Sequence, residues 1–315
     1  MPLPEAPRTP DAAPDAARDS LEGLALGDAF GERWFPHLRH GQAALTQIRE
    51  RRTPEESLWK WTDDTAMALS VHRILTIHGA VHQDQLAEAF AAAYLDDAYR
   101  GYGYGMHQLL PELARDPSSW RTGARTLFGG EGSLGNGAAM RVAPLGAWFH
   151  EDLDEVAEQA AFSAEVTHAH PEGIAGAVAV ALAAALAARS RGAAAPLPAA
   201  LLHEVADRTP AGPIAEGLRQ AAALPGDTAP SRAAEILGNG MRIRASDTVP
   251  FALWSAAHHM DSLTDALWTT AEGLGDVDTT CAITGGTVAA RTGTAAAPTS
   301  WHTRREPLPP WLAAS

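Results

Sequence analysis

A single cysteine, Cys281, stands in this chain of 315 residues, so no intrachain disulfide can form and a small disulfide-stapled secreted fold is excluded. Positive charge is also short. The 24 Lys and Arg against 38 Asp and Glu leave a net charge of −14. That balance argues against a protein that grips nucleic-acid phosphates, because such binding needs clustered cations, and no stable nucleic-acid binding is expected. It leaves room for a phosphate-bearing small molecule, since bound divalent cations reverse the sign locally. Val, Ile and aromatics are sparse while alanine is abundant, which favours helix over strand. No segment alternates polar and apolar residues over more than four positions, so little or no sheet is expected. The longest uncharged stretch, Gly173 to Ala188, is short of the roughly 18–20 residues that span a bilayer, and it is mostly alanine. A buried core helix and no membrane partner are expected there. The N-terminal MPLPEAPRTPDAAPDAARDS has no apolar centre and does not read as a signal peptide. Residues 1–17 are expected to be a disordered tail, and the protein to be cytoplasmic.

What is present is dense helical patterning. Asp19 or Ser20 can cap a helix through LEGLALGDAFG, in which Gly23, Gly27 and Gly31 recur every four residues on one face. Each glycine costs a helix interior about 1 kcal/mol, so three on one face imply close approach of a backbone or ligand. Thr62 opens a second helix to about Thr76. Further helices are expected near 84–98, 152–165, 171–190, 199–207, 212–224, 231–237, 249–259, 262–273 and 279–291, with loops at 100–105, 128–137, 191–198, 225–230 and 297–315. No long linker divides the chain. The length permits one large domain or two, and one helical domain from 18 to 294, followed by an irregular extension over 295–315, is the economical reading.

Two acidic groups carry the chemistry. Thr62-Asp63-Asp64 sits at a helix start, and Gly275-Asp276-Val277-Asp278-Thr279 is a turn leading into another. Either alone is an ordinary capped helix start. Together they form an all-oxygen donor set that suits Mg²⁺ or Mn²⁺ better than Zn²⁺. Four converging carboxylates need roughly two divalent ions to neutralise them. Glycine-rich loops at Arg100–Gly105 and Gly129–Gly137 expose backbone N–H groups, and the second runs into Ala138-Ala139-Met140-Arg141, a helix start able to cradle a diphosphate. Thr167-His168-Ala169-His170 lacks a third soft ligand for zinc. Leu237-Gly238-Asn239-Gly240 reads as a helix end and turn without function.

In order along the chain, GLALGDAFG, WTDDTAMA, RGYGYG, GSLGNGAAMRVAPLG, THAHPEGIAGA and GDVDTTCAITGGTVAA resemble the ADP-ribosylglycohydrolase family over about residues 20–293. The resemblance implies an all-α, compact single-domain orthogonal helical bundle with two Mg²⁺ or Mn²⁺ ions in a cleft. It implies Thr62, Asp63, Asp64, Asp276, Asp278 and Thr279 as metal ligands. Gly103, Gly105, Ser133, Leu134, Gly135, Asn136 and His168 would line an ADP-ribose pocket. The implied reaction is hydrolysis at ribose C1″ of an ADP-ribosylated protein or small-molecule acceptor, arginine or a related guanidine first among them, with ADP-ribose as product. A carboxylate would move the proton, Asp97 ahead of the RGYGYG loop being the first candidate and Glu32 the second. Two positions depart from the family pattern. Val277 replaces a threonine found in many members, and Phe35 stands where several carry a glutamate. The second departure keeps a catalytically impaired ADP-ribose-binding relative as the alternative. A prenyl-diphosphate cyclase or an HD-type phosphohydrolase would need an Asp-Asp-x-x-Asp run or a His-Asp pair, and neither string occurs.

Overall fold

The helical reading holds across most of the chain in the computed structural model, which describes residues 12–35 and 41–313. Sixteen α-helices stand among the described residues: α1 Ala12–Glu32, α2 Gly41–Arg49, α3 Asp63–His78, α4 Gln83–Asp96, α5 Tyr104–Leu113, α6 Trp120–Gly130, α7 Ala143–Trp148, α8 Leu153–Glu165, α9 Pro171–Arg189, α10 Pro198–Arg208, α11 Pro213–Ala222, α12 Pro230–Leu237, α13 Ala245–His258, α14 Leu263–Ala271, α15 Val277–Thr292 and α16 Thr299–Arg304. No strand is present among these residues, and β-type pairing is limited to isolated bridges at Trp59–Arg305 and Gly135–Arg244.

The centre of the molecule is the pair α1 and α15. A Cβ added to Gly23 would fall on Ala289, one on Gly27 on the Cys281 carbonyl, and one on Gly31 on Val277 and Asp278. As one index rises the other falls, so the two helices run antiparallel with their backbones in contact. The four-residue glycine period thus serves close helix packing. This placement brings the C-terminal end of α1 to the N-terminal end of α15. Around the pair lie α9, fully buried along most of its alanines, and an aromatic cluster in which Phe30 stacks on Trp301 at 4.6 Å and meets Trp268 edge-on at 4.9 Å.

Several expectations need correction. Ala12–Ala17 belong to α1, with Ala16 and Ala17 fully buried, so only residues 1–11 of the expected tail remain, and these lie outside the described residues. Asp19 and Ser20 therefore do not cap a helix start. Asp19 pairs with Arg191 at 2.7 Å, and the Ser20 hydroxyl donates to the Gly286 carbonyl. The extension over 295–315 is not irregular throughout, for α16 and a 3₁₀ turn at Pro310–Ala313 occupy it, and Trp301 is core. Ala138–Arg141 does not start an α-helix. The chain makes a 3₁₀ turn at Asn136–Ala138, and α7 begins only at Ala143. α5 and most of α6 lie between the loops expected at 100–105 and 128–137, where no helix was expected. At 19 residues α9 reaches the length and hydropathy of a membrane span, contrary to the length argument, and 78% of its apolar window is buried inside the protein.

Candidate active site

Asp28, one turn before the end of α1, is fully buried. Its carboxylate accepts from the backbone N–H of Thr62 (2.9 and 3.1 Å), the N–H of Thr65 (3.1 Å) and the Thr65 hydroxyl (2.5 Å). A carboxylate at a helix N-terminus meets unpaired N–H groups and the positive end of the dipole, so Asp28 fastens the start of α3 to α1. Burial nevertheless pushes its pKa up to about 6, against the lowering effect of these bonds. Sequence reasoning quoted Asp28 within a motif and gave it no role. The missing signal was tertiary, since nothing local says that a helix end will face another helix start.

Thr62 caps α3, its hydroxyl accepting from the Asp64 N–H at 3.3 Å. The Asp63 N–H donates to the Arg100 carbonyl at 2.8 Å. On the other side, the Asp276 N–H donates to the Asn239 carbonyl at 3.0 Å, and its carboxylate accepts from the Asn136 amide at 2.7 Å. Gly275, at φ +76°, lies so close to Asn239 that a Cβ would overlap it. The segment Leu237–Gly240, read from sequence as a plain turn, therefore shapes the second acidic group, which corrects that reading.

These parts meet at one cavity of about 470 Å³. Asp63, Asp64, Asp276, Asp278 and Thr279 line it, as do Gly103, Gly105, Ser133, Leu134, Gly135, Asn136 and His168. Thr62 stands directly behind, 3.2 Å from the Asp64 carboxylate. Asp97 does not reach it. It sits in a separate groove, partly exposed and paired with Arg100 at 3.2 Å. Glu32 is half-buried beside Arg33, absent from the cavity wall, and acts on it only through its field, raising the pKa of Asp278. The cavity also has lining residues that sequence reasoning passed over: Tyr104, Phe128, Glu131 and the Arg242-Ile243-Arg244 run. Phe128 and Ile243, at φ +53° and +54°, hold strained backbones that non-glycine residues seldom adopt.

The acids are costly as they stand. Burial first, and then the charge of Asp28, raise Asp63 to about 8. Burial and Asp278 raise Asp64, and burial and Asp276 raise Asp278. One buried oxygen of Asp64, Oδ1, has no hydrogen-bond partner. Such a group costs about 1–3 kcal/mol unless something satisfies it. The donors are all oxygen, as hard cations require. Among the described residues no three Asp, Glu, His or Cys side chains stand close enough together to hold a metal ion as placed, although Asp63, Asp64, Asp276 and Asp278 line the same cavity. Val277 is fully buried and turned into the core, so the departure there removes nothing from the cavity wall. Phe35 is half-buried just past α1, and residues 36–40 beyond it lie outside the described residues.

An all-α molecule with an acidic cleft at the meeting of three helix ends is the class defined so far. The ADP-ribosylglycohydrolase family signature matches residues 9–314. The chain is 34% identical to human ADP-ribosylhydrolase ARH3 over 173 residues, which are 51% of this chain and 47% of that one. It thus spans about half the length of the curated relatives it matches. An uncharacterised protein of Archaeoglobus fulgidus is 29% identical over 85% of both chains. A solved structure titled "ADP-ribosylglycohydrolase-related protein complex" shares the fold, with a TM-score of 0.63 at 23% identity over 94% of both chains. This chain belongs to the ADP-ribosylglycohydrolase family.

Proposed function

We propose that the chain hydrolyses the bond between ribose C1″ of ADP-ribose and an acceptor, in a reaction dependent on two Mg²⁺ or Mn²⁺ ions. The observation that carries this is the convergence of both Thr/Asp groups and both glycine-rich loops on one cavity, with a buried Asp64 oxygen left for a ligand. Asp63, Asp64, Asp276, Asp278 and Thr279 would hold the ions, with Thr62 supporting Asp64. Bound there, divalent cations supply the positive charge that orients ribose hydroxyls and lowers the pKa of a water. The chain does the rest. Asp28 keeps the α3 start fixed, so Asp63 and Asp64 cannot drift apart from the α15 acids. The Ser133–Gly137 loop lines the cavity, and its backbone N–H groups other than that of Gly135, which donates to the Ser133 hydroxyl, would suit a diphosphate. Phe128 and Ile243, both partly exposed at the cavity wall, offer apolar faces to a planar base. The proton for the leaving group must come from a carboxylate that lines the cavity, which Asp97 does not.

Arginine or a related guanidine is the favoured acceptor, on the strength of the family resemblance. The test is incubation of the purified chain and Mg²⁺ or Mn²⁺ with arginine-, serine- and nucleic-acid-linked ADP-ribose, measuring free ADP-ribose. Release from the arginine conjugate supports the full reading, and release only from another conjugate corrects the acceptor. Binding of ADP-ribose without release supports the impaired relative that Phe35 motivates. The absence of both binding and release overturns the proposal.

A further inference from the structure

Behind the Ser133–Gly137 loop, three buried groups form a chain of hydrogen bonds that ends at His168. Arg141 is fully buried, its guanidinium 4.3 Å over the Phe90 ring. Its Nη2 donates to the Ser163 carbonyl at 2.8 Å and to the Thr167 hydroxyl at 2.9 Å. Thr167 is fully buried, and its hydroxyl lies 2.8 Å from Nδ1 of His168. A guanidinium only donates, so the Thr167 oxygen is the acceptor in that bond. The one hydroxyl proton of Thr167 is then free to go to Nδ1 of His168. If Nδ1 carried the proton instead, the Thr167 O–H would be buried with nothing to accept it, which is costly. The ring nitrogen left with a proton is Nε2. That edge of the ring lies against the glycine loop: a Cβ on Gly137 would stand 3.0 Å from Nε2 and one on Gly135 3.4 Å from it. His168 lines the cavity, and burial, followed by the Arg141 charge, pushes its pKa down to about 3.

We infer that Thr167, held by Arg141, is a positioning residue that locks His168 as the neutral Nε2–H tautomer, a fixed hydrogen-bond donor to an oxygen of the bound nucleotide sugar. Within the proposed activity, on which the ligand part of this inference rests, His168 then binds and does not act as a base. Arg141 lies out of the cavity wall and supplies the direction of the chain of bonds.

Two measurements on the full chain test this. A ¹⁵N-labelled-histidine correlation spectrum reports which ring nitrogen is protonated, with the His168 signals identified as those missing from His168→Gln. The wild type and Thr167→Ser should show the Nε2–H form, and Thr167→Val should lose that preference. Calorimetric titration with ADP-ribose should give about tenfold weaker binding for Thr167→Val, the effect of one lost hydrogen bond, and near wild-type binding for Thr167→Ser. A protonated Nδ1 in the wild type overturns the inference, as does wild-type affinity and tautomer in Thr167→Val. Should Thr167→Val fail to fold, the spectra of the wild type and Thr167→Ser still decide. If the wild type binds no ADP-ribose, the functional reading falls, and the spectrum alone judges the tautomer.

Discussion

Asp28 and Asp276 each follow a glycine in the sequence, yet the structure gives them different work. Asp276 faces the cavity and is bonded by Asn136, Asp278 and Thr279, whereas Asp28 commits its lone pairs to Thr62 and Thr65 at the start of α3. Asp276→Ala is therefore expected to abolish metal-dependent release of ADP-ribose while leaving the far-ultraviolet dichroism near normal. Full activity in that variant would remove Asp276 from the mechanism. Asp28→Asn should cost stability as well, about 1–3 kcal/mol in urea unfolding, because an amide NH₂ would face backbone donors that now have a partner. Asp97→Ala tests the discarded assignment. Turnover close to wild type is expected, and a loss comparable to that of Asp276→Ala would restore Asp97 to the site.

At the scale of elements, two contacts decide whether the site exists. The first is the backbone contact of α1 with α15. Gly27→Ala gains about 1 kcal/mol of helix propensity. Against that, its Cβ would land on the Cys281 carbonyl, and overpacking of this kind costs about 1–3 kcal/mol or more where backbone must move. A lower melting temperature is the expected outcome, and an unchanged or higher one would mean the helices separate at little cost. The second contact ties the chain's end to its acidic centre. Glu306 grips Arg100 with both oxygens at 2.7 and 2.9 Å, Arg100 stacks 3.7 Å over Trp61, and its carbonyl receives the Asp63 N–H. Glu306→Ala should lower kcat more than it lowers stability, since a partly exposed pair is worth roughly 1 kcal/mol or less. Unchanged kcat would detach this segment from the site.

For the whole molecule, the concentration of buried acid sets the response to pH. Asp28 at about 6 and Asp63 at about 8, with Asp64 and Asp278 also raised, keep protons in the folded chain that the unfolded chain has already released. Stability without metal must then fall as pH rises through those values. His72 and His168, depressed to about 4 and about 3, have the opposite slope, but their contribution is lost only below the unfolded value of 6.5. Between 6.5 and about 8 the acids alone decide. Chelator-treated protein should melt at progressively lower temperature across that window, and Mn²⁺ should flatten the curve by binding the ionised form. A rising curve in chelator would contradict the buried acidic cluster.

Legibility varied with the distance over which information had to travel. Helix α8 starts on the Asp152 cap and α9 to α12 each start on a proline, and most ends of α8 to α13 fell within a few residues of expectation. Part of the cavity wall was also legible, because the Asp63-Asp64, Ser133–Asn136, His168 and Asp276–Thr279 groups each sit in a recognisable motif. Asp28, Arg141, Asn239 and the Arg242–Arg244 part of the wall were not, since each acquires its role by touching a segment far away in the chain. Ala16, Ala17 and Trp301 were missed for the same reason, for only the core they enter makes them structure.

By itself the sequence determined that the chain is helical, that its acids come in two oxygen-donor groups, and that glycines on one face of α1 await a close neighbour. Tertiary structure alone decided that the neighbour is α15 running antiparallel. That direction sets the end of one helix against the starts of two others, so that carboxylates far apart in the chain are buried together beside one cavity.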